Sequence, residues 1–148
     1  MIIYTDGSCI NNGLPNASAG IGVYFGPGDS RNISAKIGRL QASSRAELEA
    51  IRQAIIQLGN FIPVRGGLSA VVIRTDSQNS IDYINNGCQQ RACGTTGTIG
   101  VPSDVRDIVM EIVKMIGNSG YKISLQKVSF DDPGINCAHK LAEAAARR

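Results

Sequence analysis

Two hydrophobic periods succeed one another along this chain, and their order restricts the fold more than any other feature. Residues 2–5 (IIYT), 19–25 (AGIGVYF) and 32–37 (NISAKI) are short apolar and β-branched runs. The turn-rich NNGLPNASAG and GPGD segments separate them, which is the pattern of strands joined by hairpins. The chain therefore opens as an antiparallel meander. From residue 44 the period lengthens. Leu48, Ile51, Ile55 and Leu58 recur at helical spacing while Glu49, Arg52 and Gln53 fall on other faces, predicting an amphipathic helix over 44–58 that ends near Gly59. Residues 68–75 (LSAVVIRT) read as a buried strand and 77–86 as a short helix. This alternation puts the middle of the sheet in parallel pairing, because parallel neighbours need a crossover.

Residues 87–102 are rich in Gly and Thr with no clear period and are expected to be a loop. Ser103 and Asp104 then stand where a helix cap belongs, ahead of a stripe of Val105, Ile108, Val109, Ile112, Val113 and Ile116. Residues 121–128 (YKISLQKV) alternate as a half-buried strand. The DDPG turn leads into a helix over 136–146, followed by Arg147 and Arg148 at its C-terminal end. No internal repeat or linker interrupts the order, so 1–148 is expected to be a single domain. At that length a substantial core can be buried.

The net charge is only +3, so affinity for a polyanion has to come from where charges lie rather than from their sum. Cys9, Cys88, Cys93 and Cys137 lack the paired spacing of a structural zinc site. Cys88 and Cys93 are the only close pair, read as thiols with a disulfide or metal role as the alternative. A reducing, intracellular compartment (cytoplasm or nucleus) is expected. There is no 18-residue apolar run and no basic leader with an apolar stretch, so no membrane role is expected. Met1 passes almost at once into a strand, which suits a compact free-standing monomer or an excised domain.

Three acidic residues stand at expected junctions: Asp6 in IIYTDGSC, Glu47 in ASSRAELEA and Asp76 in VVIRTDSQNS. If the fold gathers them, they form an oxygen-rich pocket suited to a hard divalent cation. Each has an ordinary structural reading as well. Asp6 can be a turn residue before Gly7. Ser44 and Glu47 have the spacing of a capping box, and Asp76 can cap a helix at a strand–helix junction. The carboxyl end of parallel strands is nonetheless where ligands bind in such sheets.

YTDGSCINNG, AGIGVYFGPG, SSRAELEAIRQAI, IRTDS and GINCAHKLAEAA resemble, in order and across nearly the whole chain, type 1 ribonuclease H. The resemblance implies an α/β, ribonuclease H-like fold: a five-stranded mixed sheet, three antiparallel strands then two parallel ones, with helices on both faces. It implies cleavage of the RNA strand of an RNA–DNA hybrid to 3′-hydroxyl and 5′-phosphate products with two Mg2+ ions. Asp6 would bridge both ions, and Glu47 and Asp76 would bind one of them. For the hybrid, the resemblance points to Gly7, Ser8, Cys9 and Asn12, to Ser43 and Ser44 where Asn or Gln is common, and to Arg39 for a DNA phosphate.

The resemblance breaks at the fourth acidic position, where GINCAHKLA places His139, the only histidine in the chain. Imidazole is a poor Mg2+ ligand and an acceptable Mn2+ one. His139 is thus a provisional fourth metal ligand. Its readings are natural tolerance with reduced or Mn2+-dependent activity, a catalytically dead relative, or an introduced substitution. The family's loop histidine is also missing from VSFDDPG, where Asp131 and Asp132 are expected to form a solvated turn before Pro133, with partial compensation for that histidine by one of them as the alternative. The basic, aromatic protrusion is absent from 87–102, whose only cation is Arg91. Two alternatives stand beside the nuclease: an impaired module that binds hybrid or double-stranded RNA, and the ribonuclease H domain of a retroelement polyprotein partnered by a reverse transcriptase.

Overall fold

The computed structural model describes residues 1–38, 41–61, 69–94 and 100–148. In chain order they form β1 (Ile2–Ile10), β2 (Ser18–Tyr24), β3 (Ile33–Lys36), α1 (Ser43–Phe61), β4 (Ser69–Thr75), α2 (Gln78–Ala92), α3 (Arg106–Asn118), β5 (Tyr121–Lys127) and α4 (Pro133–Ala146). The sheet order is β3-β2-β1-β4-β5. β1 to β3 pair antiparallel, while β4 runs parallel to both β1 and β5. This is the expected meander extended by two parallel strands.

The two faces of β2 show why the helices divide. Ala19 and Ile21 point one way, into a cluster with Ala46 and Ala50 of α1. Gly20 and Gly22 point the other way, where a Cβ would run into the α4 backbone at Ala142 and Ala138 respectively. α1 and α4 therefore lie on opposite faces. On the α1 side the helical stripes interlock: Leu48, Ile51 and Leu58 join Val105, Ile108, Val109 and Ile112 of the α3 region over Ile3, Val71 and Ile73 of the sheet. At about 25 cal/mol per Å2 of apolar surface removed from water, this cluster dominates the driving force. Tyr121, Ile123 and Leu125 face it from β5, alternating with exposed Lys122, Ser124 and Gln126. No described helix is long and apolar enough to cross a membrane.

Several boundaries differ from expectation, each for a local reason. β1 continues five residues past Thr5, because β2 pairs with it as far as Ile10↔Ser18. α1 passes through Gly59 to Phe61. α2 extends to Ala92 rather than stopping near Asn86, so the expected loop over 87–102 is helical for its first six residues. Gly87 is buried there and Cys88 packs on the core, a case of packing overriding weak helix propensity. Residues 95–99 lie outside the described set. α3 starts at Arg106 with no side-chain cap, so Ser103 and Asp104 do not serve as one. Buried Val105 occupies that position, closed by its N–H donating to the Pro102 carbonyl at 3.2 Å. α4 starts earlier than expected, at Pro133, a residue suited to the first helical position.

Candidate active site

The sheet register levels two of the acidic residues. The last parallel pair between β1 and β4 is Tyr4↔Arg74, so two residues further along, Asp6 and Asp76 stand side by side. β4 ends at Thr75 and turns away, whereas β1 continues, with Asp6 paired to Gly22 on its other side. The expectation that Asp6 marks a strand end is thus corrected: it lies within β1, at the point where β4 departs.

Glu47 arrives from α1 because Gly7 is bare. A Cβ at Gly7 would lie 2.5 Å from both the Ala46 carbonyl carbon and the Glu47 nitrogen, a separation that real Cβ contacts do not reach. Without it the first turn of α1 rests directly on β1. Ligand oxygens of Asp6, Glu47 and Asp76 then all fall within 4.8 Å of one another.

Glu47 and Asp76 do not fill the capping roles their sequence positions suggest. α1 begins at Ser43, so Ser44 lies inside the helix rather than at its cap. The cap of α2 is Ser77, whose hydroxyl accepts the Ser80 N–H at 3.3 Å.

Electrostatics mark the cluster as incomplete. Asp6 is 3% exposed, and one of its oxygens accepts the Gly7 N–H at 2.9 Å. Burial holds its carboxyl above the ordinary value; a hydrogen bond with Glu47 opposes this most, the charge of Asp76 adds to it, and His139 opposes it further. Burial pushes Glu47 up much further, reinforced by the negative charge of Asp6. Glu47 as a residue is half-buried, but its Oε2 is enclosed and has no hydrogen-bond partner. An orphaned buried carboxylate oxygen facing two more carboxylates is costly unless a cation completes it. All-oxygen donors fit Mg2+ or Mn2+ and disfavour soft metals.

His139 reaches this cluster from the opposite face. Its Nδ1 lies 2.8 Å from Asp6 Oδ2 and its Nε2 lies 3.3 Å from Glu143 Oε2. Glu143 in turn accepts from Arg147 at 3.0 and 3.1 Å. His139 therefore meets the three-carboxylate group through Asp6. The close approach of α4 to Gly20 and Gly22 sets that distance.

The remaining expected residues divide into three groups. Asn12 and Ser43 bond each other: the Asn12 amide donates to Ser43 Oγ at 3.3 Å, and the Ser43 N–H donates to Asn12 Oδ1 at 3.3 Å. Ser43 and Ser44 line a cleft of about 330 Å3 with Glu47 and Asp76. Ser8 lies half-buried on β1 opposite Gly20, and Cys9 turns its thiol back to the Ile10 carbonyl at 3.8 Å. Burial raises the Cys9 thiol. Arg39 falls outside the described residues.

Asp132 is not a solvated turn residue. Its carboxylate caps α4, accepting from the Gly134 and Ile135 N–H groups at 2.8 and 3.3 Å. Cys88 and Cys93 are free thiols.

Sequence reasoning missed the far side of the site. A second cleft, of about 270 Å3, is lined by Asp6, Asp76, Phe130, Ile135, Asn136 and His139. The carboxylates thus stand between two clefts, one on the Ser43 side and one on the Phe130 side. Only Glu143 left a signal, its four-residue spacing from His139 on one helix face.

Comparison with known proteins agrees with this geometry. The family model described as RNase H matches residues 1–129. Ribonuclease H1 of Mus musculus is 40% identical over 89 residues, which are 60% of this chain and 30% of the mouse protein. The chain thus matches less than a third of that relative's length. Among solved structures, LC11-RNase H1 in complex with an RNA/DNA hybrid superposes with a TM-score of 0.67 at 21% identity, covering 99% of this chain and 96% of that one. The foamy viral protease-reverse transcriptase in complex with an RNA/DNA hybrid gives a TM-score of 0.71 at 23% identity, over 98% of this chain and 20% of that one. With its matched family model, its five-stranded sheet and its three gathered carboxylates, the chain belongs to the ribonuclease H family, as a type 1 ribonuclease H.

Proposed function

We propose that this protein is a metal-dependent endonuclease that hydrolyses the RNA strand of RNA–DNA hybrids, leaving 3′-hydroxyl and 5′-phosphate ends. The observation that carries this reading is the convergence of Asp6, Glu47 and Asp76 around an enclosed, unpartnered Glu47 oxygen. These three residues would hold the cations, with His139 the fourth member of the set. When bound, two Mg2+ or Mn2+ ions supply charge relief at the phosphate and an activated water.

The protein's own contribution is positional. β1 and β4 fix two carboxylates side by side, and the α1–Gly7 contact aims the third. The Asn12–Ser43 pair, with Ser44 and the backbone of Gly7, Ser8 and Cys9, offers small polar groups for 2′-hydroxyls in a minor groove. Arg39 is assigned to a DNA phosphate on the resemblance alone. With a net charge of +3, hybrid binding is modest and falls as salt rises. The active form is a single-domain, intracellular monomer, and a reverse transcriptase partner applies if the chain is part of a polyprotein.

One observation favours a second reading, a module that binds hybrid or double-stranded RNA with little cleavage: a neutral-capable imidazole stands against Asp6 where the family carries a carboxylate. Incubating a labelled hybrid with Mg2+ and then Mn2+ separates the two. The nuclease reading expects shortened RNA ends with at least one metal. It also expects Asp6→Asn to lower the rate by about three orders of magnitude or more, the scale of losing several kcal/mol of charge stabilisation, without a change in fold by circular dichroism. Retained binding with no cleavage under either metal supports the module, and continued turnover by Asp6→Asn contradicts the role of Asp6.

A further inference from the structure

His139 is the only histidine in the chain, and both of its ring nitrogens face carboxylates. Nδ1 lies 2.8 Å from Asp6 Oδ2, while Nε2 lies 3.3 Å from Oε2 of Glu143, one turn further along α4. A carboxylate only accepts, and a neutral imidazole has one N–H to give. A neutral ring therefore satisfies one of these partners and turns a lone pair toward the other. Glu143 is held in place to be the satisfied one. Arg147 occupies its other oxygen, Nε and Nη2 donating to Oε1 at 3.1 and 3.0 Å, which leaves Oε2 for the imidazole. The Nδ1 lone pair then points at Asp6 Oδ2, an arrangement that is repulsive until a cation lies between them. Two neighbouring ligands of one octahedral ion at about 2.1 Å stand about 3 Å apart, close to the 2.8 Å observed.

The helix alone does not set this arrangement. Gly20 and Gly22 fix the α4 backbone against β2, but the second side-chain torsion of histidine is broad and roughly two-fold. The His139 side chain is 51% exposed, so packing alone does not stop the ring from turning over. A half-turn would carry Nδ1 away from Asp6 and put a ring carbon in its place. Glu143, by gripping Nε2, is what resists it.

We propose that Glu143 is a positioning residue for the metal site: it accepts the Nε2–H of His139 and so fixes both the tautomer and the ring orientation that present the Nδ1 lone pair beside Asp6 as a cation ligand. This role rests on the reading above that His139 is the fourth member of the metal set. Partners of this kind on a metal-ligating histidine are worth about 10- to 100-fold in metal affinity, and an exposed one belongs at the low end. As an i,i+4 pair in solvent, it adds little to the stability of the fold.

The test is calorimetric titration of the protein with Mn2+ alone. Glu143→Ala should weaken binding about tenfold, and Glu143→Gln, whose amide oxygen still accepts from Nε2, should recover most of that loss. Arg147→Ala should act in the same direction, by less. In a His139→Ala background, Glu143→Ala should alter affinity by less than about twofold, because the residue it acts through is gone. Pulsed EPR at substoichiometric Mn2+ should show imidazole nitrogen coupling in wild type, weaker in Glu143→Ala and absent in His139→Ala. Unfolding temperature in EDTA should be nearly the same in wild type, Glu143→Ala and Glu143→Gln.

Equal losses in Glu143→Ala and Glu143→Gln that persist without His139 would mark Glu143 as a distant charge and overturn the positioning role. Unchanged Mn2+ affinity in Glu143→Ala, or His139→Ala binding Mn2+ as tightly as wild type, overturns it as well and leaves the three-carboxylate nuclease standing. A wild-type protein that binds no Mn2+ overturns the metal-dependent reading and this role with it.

Discussion

The two faces of the sheet are built on opposite packing strategies, and the site draws one group from each. On the α1 face, large aliphatic residues fill the space: Leu48, Ile51, Leu58 and Ile112 are each 1% exposed or less. On the α4 face the contact is nearly backbone to backbone. Gly20 and Gly22 meet Ala138, Ala142 and Ala145, and strand hydroxyls tie the helix down. Ser34 donates to the Leu141 carbonyl at 2.6 Å and Ser18 to the Ala146 carbonyl at 2.7 Å. The α1 face stores most of the apolar energy, whereas the α4 face sacrifices side-chain volume to fix a distance, that between His139 and Asp6.

That contrast breaks or holds on a pair of substitutions. Leu58→Ala leaves a cavity at the end of α1, about three turns from Glu47, and should cost about 2–5 kcal/mol. Cleavage per folded molecule should stay near wild type. Gly22→Ala drives a methyl into the α4 backbone and should cost about 1–3 kcal/mol. Cleavage should nevertheless fall severalfold, because α4 must shift and carry His139 off Asp6. Urea unfolding, with rates measured well below each midpoint, separates the two effects. If Gly22→Ala keeps full activity, the α4 distance is not what tunes the site.

A third substitution sharpens the comparison at the residue itself. His139→Asp replaces an imidazole against Asp6 with a charged oxygen donor, which Mg2+ prefers. The Mg2+-supported rate should rise about tenfold, within the range attributed to groups that tune metal ligands. An unchanged or lower rate across a Mg2+ titration removes His139 from the metal set.

How much of this was legible before the fold was seen follows the same division. The meander, the α1 stripe and the β5 alternation were readable, because burial on the aliphatic face writes period into the sequence. Asp6, Glu47 and Asp76 could be named from their motifs, but not the cause of their meeting. That cause lies in a parallel register and in the bare Gly7, neither of which has a local signal. α2 beyond Asn86 was hidden by polar Asn, Gly and Gln residues whose helix is held by packing. Phe130 and Asn136 gave no pattern, since a single exposed ring in a turn looks like any other until it is found facing carboxylates. Asp132 was read as a solvated turn because its capping role depends on Pro133 opening the helix rather than blocking it.

The smallest expected effect probes the aliphatic side's own contribution, Glu47. Its carboxyl is held well above its ordinary value of 4.5, chiefly by burial and then by Asp6, and Asp6 is raised by burial too. For a group raised in the folded state, the stabilising contribution is complete below the unfolded value and is lost as pH climbs through the folded value. The metal-free protein should therefore lose stability on going from acid toward alkaline pH, through the window above the ordinary carboxylate range. A divalent cation binds the ionised cluster, so the gain in unfolding temperature on adding Mn2+ should grow with pH. Glu47→Gln removes the buried charge, which should make the metal-free protein more stable than wild type at pH 8 by about 1 kcal/mol and nearly erase the Mn2+ gain. Thermal unfolding at pH 5 and pH 8, with EDTA and with Mn2+, reads all four corners. A Glu47→Gln protein less stable than wild type at pH 8 in EDTA would show that the carboxylate is already satisfied within the fold, and that the orphaned oxygen is not waiting for a cation.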